Sequence, residues 1–426
     1  MRRHSFFKTS FPLTLAALIL AGVSCGPNAP TRPNIVLILA DDLAWNQVGY
    51  HGLGTYYETP HIDGIAADGM SFSDAYSSAP ICSPTRVSLM TGKNPARVHI
   101  TDYIPGGLFP YKPLRAPAIE PFLPVDMKLL PEILQENGYA TAMFGKWHLS
   151  NDRRFDDVGR FFDPENRGFD EVLKNAKPEP DHDPFDDAHH VEAITEHSLD
   201  FMERHRDSPF FLYVPHHVVH RPLIEEPDLV AKYEAKEGSD SPVNEPVMGA
   251  MIERMDDGIG RILDKLDELG LAENTIVIFA SDNGGLELLQ SQEPLRGGKA
   301  MVFEGGIRVP FAVRWPGKVQ PGTVSDTPVI TDDLFPTILD MVGISYLDPE
   351  LDGLNLVPLL TGQVDDLERD ALYWHYPHYH HLGFEPGGAI RMGDFKLIEW
   401  YEQTLWGQAD QVQLYNLAED IGETTD

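Results

Sequence analysis

A chain of 426 residues, 42% hydrophobic and 23% charged, holds enough apolar material for one large core with a smaller unit beside it, and its charge content excludes wholesale disorder. The formal net charge of −33 argues against nucleic acid as a partner, since a phosphate backbone is held by clustered Lys and Arg. The same charge opposes long-range attraction of any anionic substrate. An anion site here must be made positive locally, by a metal ion, Arg, Lys or a helix N-terminus.

The first two dozen residues (1–24) read as an export signal. Arg2, Arg3 and Lys8 give a positive start, Phe11–Val23 is apolar and uncharged, and Cys25 follows. The apolar stretch is too short to span a bilayer. Cys25 at its end suggests a lipoprotein signal, hence attachment to a membrane through a lipidated Cys25 and a periplasmic or outer-membrane location. Ordinary signal cleavage is the alternative, because Gly22 stands where a large aliphatic residue is usual. The only other cysteine is Cys82. With Cys25 lipidated or removed, Cys82 is unpaired in an oxidising compartment, which points to a purpose for its side chain.

Short apolar runs then alternate with helical patterns. Asn34–Ala40 reads as a buried strand. A helix over Lys128–Asn137 stops at Gly138 and precedes a strand at Tyr139–Phe144. A helix through Val191–Arg206 precedes a strand at Phe210–Val214. A third, Val247–Leu269, stops at Gly270 before a strand at Thr275–Ala280. This alternation predicts an α/β fold, a large mostly parallel sheet flanked by helices. Residues 152–187 and 237–246 read as long loops. Beyond Leu360-Thr361-Gly362 the texture changes, and 371–376, 389–400 and 411–417 read as strands of a small antiparallel sheet. The expected division is a catalytic domain over 31–363 and a small C-terminal α+β subdomain over 364–426.

Polar residues follow each of the four strands. They are Asp41 and Asp42, then Lys146 and His148, then His216, His217 and His220, then Asp282 and Asn283. In open α/β sheets ligands bind beyond the carboxyl ends of strands, so these groups are candidates for one site. In Cys82-Ser83-Pro84-Thr85-Arg86, Pro84 marks a helix start. Cys82 would then sit at a helix N-terminus with Arg86 one turn on, a setting that makes a thiol acidic and reactive. The bland alternative is a small buried side chain.

The segment Cys82–Arg86 with Ser88-Leu89-Met90-Thr91-Gly92 resembles the signature of the type I sulfatase family, in the alkaline phosphatase-like superfamily. So do Pro33-Asn34-Ile35 through Asp41-Asp42, Gly145-Lys146-Trp147-His148-Leu149, His220-Arg221-Pro222 and Ser281-Asp282-Asn283-Gly284-Gly285. Leu295-Arg296-Gly297-Gly298-Lys299 and Glu304 through Pro310 complete the set in the family's order.

The resemblance implies that a separate maturation enzyme oxidises Cys82 to formylglycine, whose hydrated form attacks the sulfur of a sulfate ester. It implies a metal set of Asp41, Asp42, Asp282 and Asn283, with residue 82 close to the ion; hard oxygen ligands of this kind suit Ca²⁺. Read alone, Asp41-Asp42 is also a helix cap and Asp282-Asn283-Gly284-Gly285 a tight turn. By the same resemblance Arg86 and Lys146 hold the nucleophile and the ligands, and Lys299 binds sulfate. His220 is the general acid, with His217 the weaker candidate, and His148 takes a proton from the second hydroxyl.

His375, His378, His380 and His381, among Trp374, Tyr376 and Tyr379, suit either a sugar pocket or an exposed loop. Arg391 reads as structural. The chain stops at Asp426, where family members often continue with a terminal helix. Export and the aromatic rim point to sulfated polysaccharides or oligosaccharides. The rivals are a phosphate- or phosphonate-ester hydrolase of the same fold type and, from another class, a glycan-binding protein that has lost catalysis.

Overall fold

The computed structural model describes residues 32–54, 56–150, 161–382, 384–407 and 412–426; the signal segment and Cys25 lie outside them. The described strands are β1 Asn34–Ala40, β2 Met70–Phe72, β3 Ala75–Tyr76, β4 Ala140–Gly145, β5 Glu171–Lys174, β6 Phe210–Pro215, β7 Thr275–Ser281, β8 Phe311–Arg314, β9 Thr323–Ser325, β10 Val329–Ile330, β11 Leu372–Tyr376, β12 Gly387–Met392, β13 Phe395–Trp400 and β14 Val412–Asn416. Eight of them form the main sheet, in the order β5-β4-β6-β1-β7-β8-β2-β9. The run β5-β4-β6-β1-β7 is parallel, while β8 is antiparallel to both of its neighbours.

The central strands are apolar throughout because both faces are covered. On β1, Ile35, Leu37 and Leu39 join one core, with residues of the helices Cys82–Thr91, Leu130–Glu136 and Leu334–Met341. Val36, Ile38 and Ala40 join the other, under Pro60–Ala67, Val191–Arg204 and Pro246–Glu268. Because β1, β4, β6 and β7 run parallel, their carboxyl ends all open on one edge. The four polar segments that follow them therefore meet there.

The elements that differ from expectation are short or peripheral. β5 falls inside the stretch read as a loop; it is a half-buried edge strand of four residues, too brief for a period to show. The helix Pro227–Glu234 buries only Tyr233, so it carries almost no apolar stripe. The run 389–400 holds two strands, because Gly393 takes a φ of +55° and turns the chain back. Strands β11 to β14 form the four-stranded antiparallel sheet. Its inner face, with Trp374, Tyr376, Ile398 and Tyr415, packs on Tyr76, Ile81, Cys82 and Ile307. The C-terminal sheet thus shares an apolar cluster with the residue expected to carry the chemistry, and Arg32–Asp426 clusters as one compact unit.

Candidate active site

Backbone pairing continues past the strand ends and fixes the loops that follow. Asp41 N–H donates to Val218 O at 2.8 Å, Val219 N–H to Asp41 O at 2.6 Å, and Asp282 N–H to Ala40 O at 3.1 Å. Asp42 sits at φ +64°, in the left-handed region that Asp tolerates better than most residues. A Cβ on Gly284 would lie 1.9 Å from Gly305 O, so only glycine permits the close approach that brings the 297–306 loop against Asn283. Lys299 N–H donates to Gly285 O at 2.8 Å, which carries the Lys299 side chain into the site. The helix Cys82–Thr91 begins at Cys82 itself, two residues before Pro84, and every residue in it is buried.

Three buried acids meet three buried bases at this edge. Lys146 Nζ lies 2.6 Å from Asp41 Oδ2, Lys299 Nζ lies 2.6 Å from Asp42 Oδ1, and Arg86 lies 2.8 Å from Asp282 Oδ2. Arg86 also donates to Lys146 O at 2.8 Å. Cys82 Sγ sits between the pairs, 3.5 Å from Asp41 Oδ1 and 3.4 Å from Lys299 Nζ. Ligand atoms of Asp41, Asp42, Cys82 and Asp282 all lie within 4.8 Å of one another. Asn283 Nδ2 donates to Asp42 Oδ1 at 2.8 Å, leaving Asn283 Oδ1 buried with no hydrogen-bond partner. Three carboxylates and an orphaned amide oxygen are a hard-donor set, and they fit a divalent cation of the Ca²⁺ or Mg²⁺ type.

Burial and charge oppose each other at every group. Burial raises the Asp41 carboxyl, but Lys146, His220, Lys299 and Arg86 together hold it well below its usual range. Asp282 is pushed up to about 6 by burial and by the Asp41 charge, against Arg86 and Lys146. Cys82 is pushed up to about 12, because burial outweighs the attraction of Lys146 and Lys299. The acidic thiol expected from its place at a helix N-terminus is therefore not found: desolvation inside a packed cluster exceeds the pull of one helix end and two ammonium groups.

The histidines divide by what their nitrogens touch. His220 Nδ1 lies 2.8 Å from Arg221 O, and Nε2 lies 3.9 Å from Asp42 Oδ2. His217 Nε2 lies 3.4 Å from Asn175 O, and Nδ1 lies 3.7 Å from Asp41 Oδ2. His148 Nε2 lies 3.0 Å from Ile104 O, with Nδ1 buried and unpartnered. A carbonyl only accepts, so in each neutral ring the nitrogen facing a carbonyl carries the hydrogen and the other offers a lone pair. Burial, with Lys299 next, lowers His220 to about 4. Burial, with Lys146 and Arg86, holds His148 well below the usual imidazole range. Above this floor opens a cavity of about 550 Å³ whose lining includes Asp42, Cys82, Lys146, His148, His217, His220 and Lys299.

The family model described as Sulfatase matches residues 33–344, and that described as N-sulphoglucosamine sulphohydrolase, C-terminal, matches 298–426. A protein named Sulfatase from Formosa agariphila is 31% identical over 96% of this chain and 87% of its own length. The chain belongs to the sulfatase family. The N-acetylgalactosamine-6-sulfatase of Mus musculus is 32% identical over 94% of this sulfatase and 77% of its own length. A crystal structure of Ps i-CgsB in complex with k-i-k-neocarrahexaose superposes with a TM-score of 0.76 at 28% identity, covering 93% of this chain and 88% of that one.

In this sulfatase the four C-terminal histidines do not act together. His380 and His381 line the cavity, their ring centroids 4.0 Å apart. His378 is buried with Nε2 2.7 Å from Thr101 Oγ1, and His375 points outward from β11, 2.8 Å from the Tyr401 hydroxyl. Alternation along β11 separates His375 from its neighbours. Arg391 lies 2.6 Å from Asp74 and binds Tyr76, tying the C-terminal sheet to the main body. Sequence reasoning passed over Tyr103, Lys177 and Arg221, which also line the cavity. Their signal was faint: Arg221 lay in view between His220 and Pro222, but nothing marked it as facing the pocket.

Proposed function

We propose that this sulfatase cleaves sulfate esters of oligo- or polysaccharides, using a Cys82 oxidised to formylglycine and a calcium ion held by Asp41, Asp42, Asp282 and Asn283. One observation carries the reading. Three carboxylates converge on Cys82, with the unpartnered amide oxygen of Asn283 next to Asp42 in the fold, at the floor of a cavity walled by histidine rings and Tyr103. A divalent ion in that set would withdraw charge from the sulfate oxygens as a Lewis acid. The matured residue 82 would present a hydroxyl nucleophile where Sγ now stands for it, beside Asp41 and Lys299.

The remaining work falls to side chains. Lys299, directed at residue 82 and Asp42, holds the sulfate. Arg86 and Lys146 fix Asp282 and Asp41 and balance their charge. His220 keeps its hydrogen on Nδ1 toward Arg221 O, so Nε2 is free to take a proton when the sulfate anion offsets the burial and the Lys299 charge that depress its basicity. That proton then passes to the leaving sugar oxygen. His148 Nδ1 is open to accept a proton from residue 82. His217 turns Nε2 to Asn175 O, and its Nδ1 faces Asp41 at 3.7 Å with no hydrogen bond; it serves to position, and is the weaker candidate for the acid. The names of the relatives support a saccharide substrate, since the Mus musculus relative is an N-acetylgalactosamine-6-sulfatase and the Ps i-CgsB structure holds an oligosaccharide. Arg2, Arg3, Lys8 and the apolar run before Cys25 support export, with anchoring through Cys25.

The test is a peptide-mass measurement at residue 82 on active protein, paired with turnover of sulfated saccharides and phosphonate monoesters. Formylglycine with preferred turnover of the sulfate ester is expected. Full activity with unmodified Cys82 would sink the nucleophile, and a preference for the phosphonate would sink the substrate class.

A further inference from the structure

Among the described residues, the walls of the cavity carry a charge balance opposite to that of the chain. The protein has 66 Asp and Glu against 33 Lys and Arg, so an ordinary patch of its surface is acidic. Among the described residues, the cavity lining holds one carboxylate, Asp42, against Lys146, Lys174, Lys177, Arg221 and Lys299. Three of those five cations have partners in the ion pairs: Lys146 with Asp41, Lys299 with Asp42, and Lys174 with Asp163 at 3.2 Å. Arg221 and Lys177 are exposed and enter no ion pair among the described residues. They come from separate segments, Arg221 following β6 and Lys177 following β5, and both reach the same cavity.

Arg221 is close enough to His380 and His381 for its charge to lower both, after burial, as does Lys299. Both rings are thereby held toward the neutral form, and with Tyr103, whose ring meets His380 edge-on at 6.0 Å, they form an aromatic wall suited to the face of a sugar ring. Arg221 and Lys177, which enter no ion pair among the described residues, line the same cavity as that wall and come from segments other than those that carry Lys299 and Cys82.

We infer that Arg221 and Lys177 form a second anion subsite, which selects substrates bearing a further acidic group, sulfate or carboxylate, near the sulfate ester that is cleaved. The inference rests on the saccharide reading above and narrows it to polyanionic saccharides. The planar guanidinium of Arg221 would take two oxygens of the second anion, and the Lys177 ammonium would add a mobile point charge.

The experiment compares three synthetic disaccharides with the matured, calcium-loaded enzyme. One carries a single sulfate, one the same sulfate plus a second, and one the same sulfate plus a neighbouring uronic carboxylate. The wild type should favour one or both of the doubly charged compounds in kcat/KM, and that preference should weaken with added salt. Arg221→Gln should cut the preference about tenfold, and Lys177→Gln, in a different loop, should cut it less. Which doubly charged compound loses most tells sulfate from carboxylate. Equal losses on all three compounds, or a preference unchanged in both variants, would overturn the subsite. A wild type that turns over the singly sulfated sugar as readily as the others would also overturn it, while leaving the saccharide reading intact. Turnover of an aryl sulfate with none of any sugar would instead show that the saccharide reading has failed.

Discussion

Two clusters of three acids and three bases lie among the described residues, all buried but for the part-buried Asp74, and they differ in what they leave unpartnered. At the strand ends, Asp41, Asp42 and Asp282 face Lys146, Lys299 and Arg86. Behind the loop that carries Lys299, Asp74, Glu304 and Glu423 face Arg308, Arg391 and Lys396. In the second cluster the donors end on protein acceptors. Lys396 Nζ lies 2.8 Å from Glu304 and 2.9 Å from Glu423, Arg308 lies 2.7 Å from Glu304, and the Tyr76 hydroxyl donates to Glu304 at 2.8 Å. In the first cluster Asn283 Oδ1 and the lone-pair sides of His148 and His217 are left over, and the cavity lies above them. Formal neutrality is common to both, so charge counting does not distinguish a site from a strut. Acceptors left with neither a donor nor a cation beside open volume do, since Glu423 Oε1 still faces Lys396 at 2.9 Å.

The largest expected effect comes from breaking the first cluster. Asp282→Asn keeps the shape but removes a charged ligand and leaves Arg86 unpaired. With several kcal/mol of Lewis-acid stabilisation at stake, kcat/KM should fall by roughly 10³-fold or more, and calcium bound per chain should drop with it. Retention of both would dissociate the cluster from metal binding. Next comes the proton donor. A sugar alkoxide needs a proton to leave and a nitrophenolate does not. His220→Ala should therefore lose about 10²–10⁴-fold on a sulfated sugar and much less on an aryl sulfate. His217→Ala should lose little on either, and a selective loss there would move the acid to His217.

The second cluster gives the contrasting outcome. Lys396→Met leaves Glu304 and Glu423 buried without their shared cation, and breaking a buried pair in this way costs about 3–5 kcal/mol. The expected result is a large fall in Tm, read by calorimetry, with calcium binding retained by the folded fraction. Loss of calcium without loss of stability would mean that the two clusters are coupled through the 297–306 loop more tightly than their hydrogen bonds indicate.

Much of the first cluster was legible in the sequence and less of the second, where Arg391 read as structural and pairs with Asp74. Asp41, Lys146, His220 and Asp282 each follow a continuous apolar run, and parallel strands dictate that such runs end together. Glu304 and Arg308 were in view only as members of the block Glu304 through Pro310, with no sign that they pair. Lys396 and Glu423 read as ordinary surface charges, and only the packing of the C-terminal sheet onto the loop buries Glu304, Lys396 and Glu423 to 0% exposure. Strands β2, β5 and β9 escaped notice because three or four residues show no period. The Cys82 thiol was misjudged because helix position is local and readable, whereas desolvation depends on every chain that closes over the residue.

The smallest effect concerns a buried acid that belongs to neither cluster. Asp332 is 3% exposed, binds the Ser78 hydroxyl, and has no cation among its hydrogen-bond or ion-pair partners in the described residues. Burial pushes its carboxyl up to about 6, whereas Lys396 and Arg308 hold the equally buried Glu304 well below its usual range. The difference sets the sign of a pH effect. A raised carboxyl binds its proton more tightly in the folded chain than in the unfolded one, where it titrates near 3.9. Between about pH 4 and 6 the folded state therefore holds the extra proton, and stability from this group falls as pH rises through that window, then levels off. The full gap corresponds to roughly 3 kcal/mol at most. Asp332→Asn cannot ionise and should lack this slope. Urea unfolding of wild type and variant at pH 4.5 and pH 7 isolates the group, because Asp102 and Asp256, also pushed up to about 6 by burial, cancel in the difference. The variant should gain stability relative to wild type as pH rises between those points. A difference that stays flat would mean that hydroxyl donors alone satisfy a buried carboxylate here, and that the contrast between paired and unpaired acids is weaker than their surroundings suggest.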